Sequence, residues 1–130
     1  MKQIAFISKR RIVAQGLEAV LEARPELRMK LLPLIPPVNA RVDVMVHRPD
    51  ILLVDVTGTL SREGLFSLCR RLKEDLPECK VVLLLSEDEE YYRNLMVQAR
   101  TRNLADDFVF YDNSVDYLLA KLSALEPEEL

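Results

Sequence analysis

Short runs of apolar residues recur along the chain at a nearly even interval, and each run is bounded by polar or turn-forming residues. Most of the runs are continuous, whereas a strand with one face in water would alternate apolar and polar positions. Each run therefore predicts a strand that is covered on both faces of a sheet. The predicted strands span residues 4–7, 31–35, 51–56, 81–85 and 108–110.

Segments with helical periodicity separate these strands. Their apolar positions are Val13, Leu17, Val20 and Leu21; Val38, Val42, Met45 and Val46; Leu65, Leu68, Cys69, Leu72 and Leu76; Tyr92, Leu95, Met96 and Ala99; and Val115, Leu118, Leu119 and Leu122. Pro25, Pro49 and Pro77 end the first three helices, because proline cannot continue a helix. Ser114 or Asn113 is placed to cap the fifth. Five alternating strand–helix units predict an α/β fold, a parallel sheet with helices on both faces.

The chain has 130 residues, of which 49% are hydrophobic and 30% are charged, and this is enough for one domain with its own core. We expect that domain to span residues 1–125. The polar, proline-interrupted segment EPEEL at residues 126–130 is expected to be a tail or the start of a linker.

Composition excludes several classes of function. The net charge of −3 argues against a surface built mainly to bind nucleic acid, and three glycines form no phosphate-binding loop pattern. Two cysteines and one histidine are too few for an ordinary zinc site, so no metal site is predicted, and the cysteine usage indicates a reducing compartment. The first apolar run is too short for a signal peptide or a membrane span. We therefore expect a cytoplasmic protein without a membrane partner.

The candidate chemistry lies at the carboxyl ends of the predicted strands, where parallel α/β sheets hold their working sites. Asp55 is the informative residue, since it follows the apolar run ILLV and precedes the loop TGT. A carboxylate in that position is placed to act as a nucleophile or a metal ligand. The alternative is an aspartate that only caps the following loop.

Three stretches that together cover almost the whole chain resemble the receiver domains of two-component response regulators, especially the NarL-like type. They are IAFISKRRIVAQGLEAVLEARPEL, PDILLVDVTGTLSREGLFSLCRRLKEDLPECKVVLLLS and DDFVFYDNSVDYLLAKL. The resemblance is weakest between about residues 32 and 46. It implies a CheY-like, flavodoxin-like (βα)5 three-layer sandwich and a role in phosphorelay signal transduction.

The resemblance also assigns roles to individual residues. Asp55 matches the phosphate-accepting aspartate, Ser86 the hydroxyl residue that binds the phosphoryl group, and Phe108 the aromatic switch. The family's acidic pair, which helps to bind Mg²⁺, and its lysine after the fifth strand are both replaced. The residues expected to line the site are Ser8 and Lys9 in place of the acidic pair, Tyr111 in place of the lysine, and Thr57 and Thr59 in the loop.

These replacements predict a degenerate receiver, or pseudo-receiver. A site with one carboxylate and an ammonium group is a poor host for Mg²⁺, and phosphoryl transfer needs cations around the transferred group. We therefore expect no cofactor, with Mg²⁺ required only if Asp55 is phosphorylated. We also expect Lys9 to pair with Asp55 in place of the metal. The alternative is an orthodox receiver that is phosphorylated on Asp55.

An enzyme is the less favoured alternative. The sequence DVTGTL, beginning at Asp55, is similar to the nucleophile motif of haloacid-dehalogenase-type phosphatases, and the run that ends at Ser86 is similar to their second motif. In that superfamily, however, the nucleophile normally ends the first strand, and here two predicted strands precede Asp55. The sequence therefore predicts a protein that is not an enzyme.

The expected partners are proteins: an unidentified partner or an output domain of the same protein, a sensor histidine kinase, or a second copy in a homodimer. Tyr91, Tyr92 and Tyr117 lie on the fourth and fifth helices, where the family often docks, although tyrosines there can also simply cover the edge of the core. The basic run from Lys9 to Arg11 is expected to be a solvated helix start with one member turned toward the site, and no direct contact with nucleic acid is predicted.

Overall fold

The computed structural model describes residues 1–34, 40–56, 61–85 and 90–125, with side chains from residue 44 onward in the second of these ranges. Five strands and five α-helices alternate along the chain, which confirms the predicted fold class. The elements are β1 (Lys2–Ile7), α1 (Arg11–Glu22), a short 3-10 helix (Pro25–Leu27), β2 (Met29–Leu34), α2 (Ala40–His47), β3 (Ile51–Asp55), α3 (Arg62–Asp75), β4 (Lys80–Leu85), α4 (Glu90–Thr101), β5 (Asp107–Phe110) and α5 (Val115–Ala124).

All strand pairs are parallel, and their order in the sheet is β2-β1-β3-β4-β5. The order reverses at β1, because the chain leaves β1 for β2 on one side and returns to β3 on the other. Ile7 pairs with Val54, so the residues that follow, Ser8 and Asp55, lie side by side at the carboxyl edge. This reversal is the position where open α/β sheets form their sites.

Two apolar cores cover the two faces of the sheet, because successive residues of a strand point to opposite sides. Ala5 and Ile7 of β1 pack in the core beneath α2, α3 and α4, whereas Ile4 and Phe6 pack beneath α1 and α5. All five residues of β3 are buried, as the continuous apolar run predicts for a central strand.

Serine side chains cap two of the helices. Ser61 accepts a hydrogen bond from the backbone N–H of Gly64 at 3.0 Å, and Ser114 accepts one from Tyr117 at 3.1 Å. A Cβ atom at Gly64 would lie 3.1 Å from Ser61 Oγ, so glycine leaves room for this cap. The predicted cap of α5 is therefore Ser114. Asn113 instead accepts a hydrogen bond from the Phe110 N–H, which tightens the turn before α5.

The far end of α5 is held by the first strand. Lys2 Nζ donates hydrogen bonds to the carbonyl oxygens of Leu122 at 3.1 Å, Ser123 at 3.2 Å and Leu125 at 2.7 Å. The last carbonyls of a helix have no partner within the helix and carry partial negative charge, so the lysine satisfies them. In the part of the chain that the structure describes, no helix is long and apolar enough to cross a bilayer.

Candidate functional site

The carboxyl edge of β1 and β3 holds a buried polar cluster. Asp55 and Ser8 have no solvent exposure, and they are the buried polar residues among those described. Ser8 Oγ donates a hydrogen bond of 2.7 Å to Asp55 Oδ2 and accepts one of 3.0 Å from the backbone N–H of Arg10. Ser8 therefore ties the start of α1 to the end of β3.

The guanidinium group of Arg10 closes this cluster. Its Nε donates to Asp55 Oδ2 and its Nη2 donates to Asp55 Oδ1, both at 3.0 Å. This two-point contact matches the planar fork of arginine to the two oxygens of a carboxylate. The hydrogen bond to Asp55 is the main reason that the pKa of Arg10 is raised above its ordinary value. Arg10 thus supplies the positive charge that the buried carboxylate requires.

The aromatic ring of Tyr111 packs against the guanidinium group of Arg10. The Arg10 guanidinium carbon lies 4.3 Å from the centroid of the Tyr111 ring, within the range of a cation–π contact. The Tyr111 hydroxyl is buried near the Asp55 carboxylate, but it completes no hydrogen bond with any described residue. Burial, and next the Asp55 carboxylate, raise the pKa of this phenol above its ordinary range, so the side chain stays neutral.

The predicted pairing of Lys9 with Asp55 is wrong. Lys9 is exposed, and within the described residues it forms no hydrogen bond or ion pair with Asp55. Arg10 takes that role because its backbone is extended, with φ −89° and ψ 93°, and alternate residues of an extended segment lie on the same side. Arg10 therefore follows Ser8 toward Asp55 and Lys9 turns to solvent. This alternation was the signal in the sequence that could have identified Arg10.

Other predicted site residues have mixed outcomes. Ser86, Thr57 and Thr59 lie outside the described residues. Phe108 is buried in the core beneath α4, and the Arg100 guanidinium carbon lies 5.0 Å from its ring centroid. The switch role of Phe108 stays a prediction.

The three tyrosines expected on an interaction face do not share one environment. Tyr91 and Tyr117 are each 43% exposed, whereas Tyr92 is 9% exposed and packs in the core. The ring centroids of Tyr91 and Tyr92 are 5.2 Å apart in an edge-on arrangement. Tyr92 points inward because it lies on the same side of α4 as buried Leu95 and Ala99. Of the three, only Tyr91 and Tyr117 are therefore available to a partner.

The residues around Asp55 do not suit Mg²⁺. This ion requires several oxygen ligands, and both oxygens of Asp55 already accept hydrogen bonds from Arg10. Across the described residues, no three His, Cys, Asp or Glu side chains are grouped as a metal site. The guanidinium group would also repel a cation placed beside the carboxylate.

Comparison with known proteins supports the fold. No family model and no curated protein sequence matches the chain. Its structure is similar to that of a LuxR-family DNA-binding response regulator from Staphylococcus aureus, with a TM-score of 0.75, 11% identity and coverage of 96% of this chain and 98% of that one. It is also similar to the receiver (REC) domain of AraT, a response regulator from Geobacillus stearothermophilus. That match has a TM-score of 0.71 and 21% identity, and it covers 94% of this chain and 92% of that one.

The BeF3-activated receiver domain of Klebsiella pneumoniae RstA is similar to the same extent. The TM-score is 0.70, the identity is 23%, and the match covers 95% of this chain and 97% of that one. These similarities extend over nearly the whole chain, so the chain has the fold of response regulator receiver domains.

Proposed function

We propose that the chain is a receiver-type signalling domain that works without phosphorylation of Asp55. It acts through contact with another protein or through control of an output domain. One observation carries this proposal: the buried Asp55 carboxylate is bound on both oxygens by Arg10 of the same chain. The receiver fold supports a role in signalling, since the similar structures are response regulators and their receiver domains.

The Arg10–Asp55 contact opposes phosphorylation in two ways. A carboxylate must present an oxygen lone pair to the phosphorus atom, and here each oxygen is held by a charge-assisted hydrogen bond. In addition, Arg10 covers the carboxylate and is itself stacked on the Tyr111 ring. A phosphodonor would therefore have to displace the arginine and leave its charge without its partner.

Two alternatives share this site. An orthodox receiver is favoured by the presence of Asp55 at the end of the third strand, and it would need Mg²⁺ and a sensor histidine kinase. A haloacid-dehalogenase-type phosphatase is favoured only by the short sequence after Asp55. Its nucleophile would be covered by Arg10 here, so catalysis is the weakest of the three.

Intact-mass measurement after incubation with acetyl phosphate and Mg²⁺ tests the proposal. We expect no gain of phosphate in the wild-type chain. A stoichiometric gain of one phosphate that is lost in Asp55→Asn would overturn the proposal and support the orthodox receiver. In a parallel assay with a generic aryl phosphate we expect no turnover, whereas turnover that requires Asp55 would support the phosphatase.

A further inference from the structure

Basic side chains lie along the facing edges of α3 and α4, on the face of the sheet away from α1. Residues four positions apart in α3 lie along the edge of that helix that faces α4. The residues of α4 that contact them form the opposite edge. We call this the α3–α4 arginine groove. It consists of Arg62, Phe66 and Arg70 of α3, Tyr91 and Gln98 of α4, and Arg102 just beyond α4.

Two reciprocal contacts hold the groove together. The guanidinium carbon of Arg62 lies 4.9 Å from the ring centroid of Tyr91, and its Nη1 donates to Gln98 Oε1 at 3.5 Å. In the opposite direction, the guanidinium carbon of Arg102 lies 5.3 Å from the ring centroid of Phe66. Each helix thus provides an aromatic ring that supports an arginine from the other side of the groove.

The arginines of the groove have no acidic partner in the part of the chain that the structure describes. Among the described residues, Arg62, Arg70 and Arg102 form no ion pair, although each belongs to a chain with a net charge of −3. The neighbouring Lys73 is different, because Asp106 neutralises it. No acidic side chain of the described residues therefore neutralises the charge of the groove.

This arrangement suits carboxylates. An arginine stacked on a ring loses little freedom when it binds, and the edge of its guanidinium group stays available for two-point contact with a carboxylate. Tyr91 is 43% exposed and adds an apolar surface beside these charges. Nucleic acid is the less favoured ligand, because its negative charge repeats along its whole length and the chain carries a net charge of −3, whereas an acidic peptide needs only a few carboxylates to pair with these arginines.

We propose that the α3–α4 arginine groove binds an acidic polypeptide segment of a partner protein through Arg62, Arg70 and Arg102. This inference deepens the proposed function and rests on it only in assuming that the domain acts by protein contact. The groove contains no atom of the Asp55 cluster, so binding should not require any change at Asp55.

Fluorescence anisotropy with a labelled peptide rich in Asp and Glu tests the proposal. At about 50 mM salt we expect saturable binding that weakens at least fivefold at about 300 mM, since the shorter Debye length screens exposed charges. Replacing Arg62, Arg70 and Arg102 together by Gln should weaken binding at least tenfold. The matched control replaces Arg11, Arg71 and Arg93 by Gln, which removes the same charge from exposed positions outside the groove and should change binding less than twofold.

Three results would overturn the proposal. They are no saturable binding, an equal loss in both triple variants, or tighter binding of a labelled single-stranded oligonucleotide that depends on the same three arginines. Circular dichroism spectra must show that both variants are folded. The mass measurement on Asp55 is independent of this assay, so a phosphorylated wild-type chain that still binds the peptide would refute only the proposed function.

Discussion

Two arginines in this domain are stacked on tyrosines but have different surroundings. Arg10 lies 4.3 Å above Tyr111 and Arg62 lies 4.9 Å above Tyr91. The fork of Arg10 is closed on the buried carboxylate of Asp55, whereas Arg62 meets only the neutral side chain of Gln98. In the first region the stacked arginine neutralises a buried carboxylate of the same domain. In the second region the positive charge of the stacked arginine remains available to a partner.

The difference lies in what would remain after each arginine is removed. At the carboxyl edge of the sheet, loss of Arg10 would remove the guanidinium group that binds both oxygens of a carboxylate with no solvent exposure. In the α3–α4 arginine groove, loss of Arg62 would leave a half-exposed tyrosine in water. We therefore expect the first arginine to act mainly on stability and the second mainly on binding.

Of the single substitutions, Arg10→Ala should have the largest effect. It removes the guanidinium group that binds both oxygens of buried Asp55, and we expect the free energy of unfolding to fall by about 2 to 4 kcal/mol in urea denaturation. Arg11→Ala is the matched control, since Arg11 is exposed, and it should change stability by less than about 0.5 kcal/mol. Asp55→Asn should recover part of the loss in the Arg10→Ala background. A variant as stable as wild type would refute the role assigned to Arg10.

Alkaline pH should lower stability by an amount that grows with the pH reached and that does not involve either arginine, because arginine stays charged throughout this range. Burial raises the pKa of the Cys69 and Cys79 thiols from 9.0 to about 12. Above pH 9 the unfolded chain releases these protons and the folded chain keeps them. Stability should therefore fall between pH 9 and 12, by roughly 1.4 kcal/mol per pH unit for each thiol.

Urea denaturation at a series of pH values measures this slope. The control is the double variant Cys69→Ala, Cys79→Ala, in which the other titrating groups are unchanged. Its stability should be lower at neutral pH because of lost packing, but it should decline less steeply above pH 9. Equal slopes in the two proteins would show that the thiols do not control alkaline stability.

Arg62→Gln should have the smallest effect on stability. A cation–π contact at an exposed site contributes about 0.5 to 1 kcal/mol, and glutamine retains part of the packing, so we expect a loss of about 0.5 kcal/mol. A loss comparable to that of Arg10→Ala would remove the distinction between the two regions. Arg62→Lys in the same experiment shows whether charge alone, without the planar fork, maintains this stability.

The sequence was informative where burial repeats with a regular period. Continuous apolar runs gave all five strands, and the serine before Val115 gave the cap of α5. It was ambiguous for Tyr92, which belonged both to the predicted apolar face of the fourth helix and to the expected interaction face, and the structure places this side chain in the core. The 3-10 helix Pro25–Leu27 was also missed, since the proline there indicated only the end of α1.

The sequence by itself determined the fold and the position of Asp55, because parallel strands place all their carboxyl ends at one edge of the sheet. Only the tertiary structure decided which of three consecutive basic residues binds Asp55. It also decided which arginines between α3 and α4 form no ion pair with a described residue. Alternation along an extended segment is a local signal for Arg10, but these contacts join side chains from elements far apart in the chain, and no local pattern shows that those elements meet.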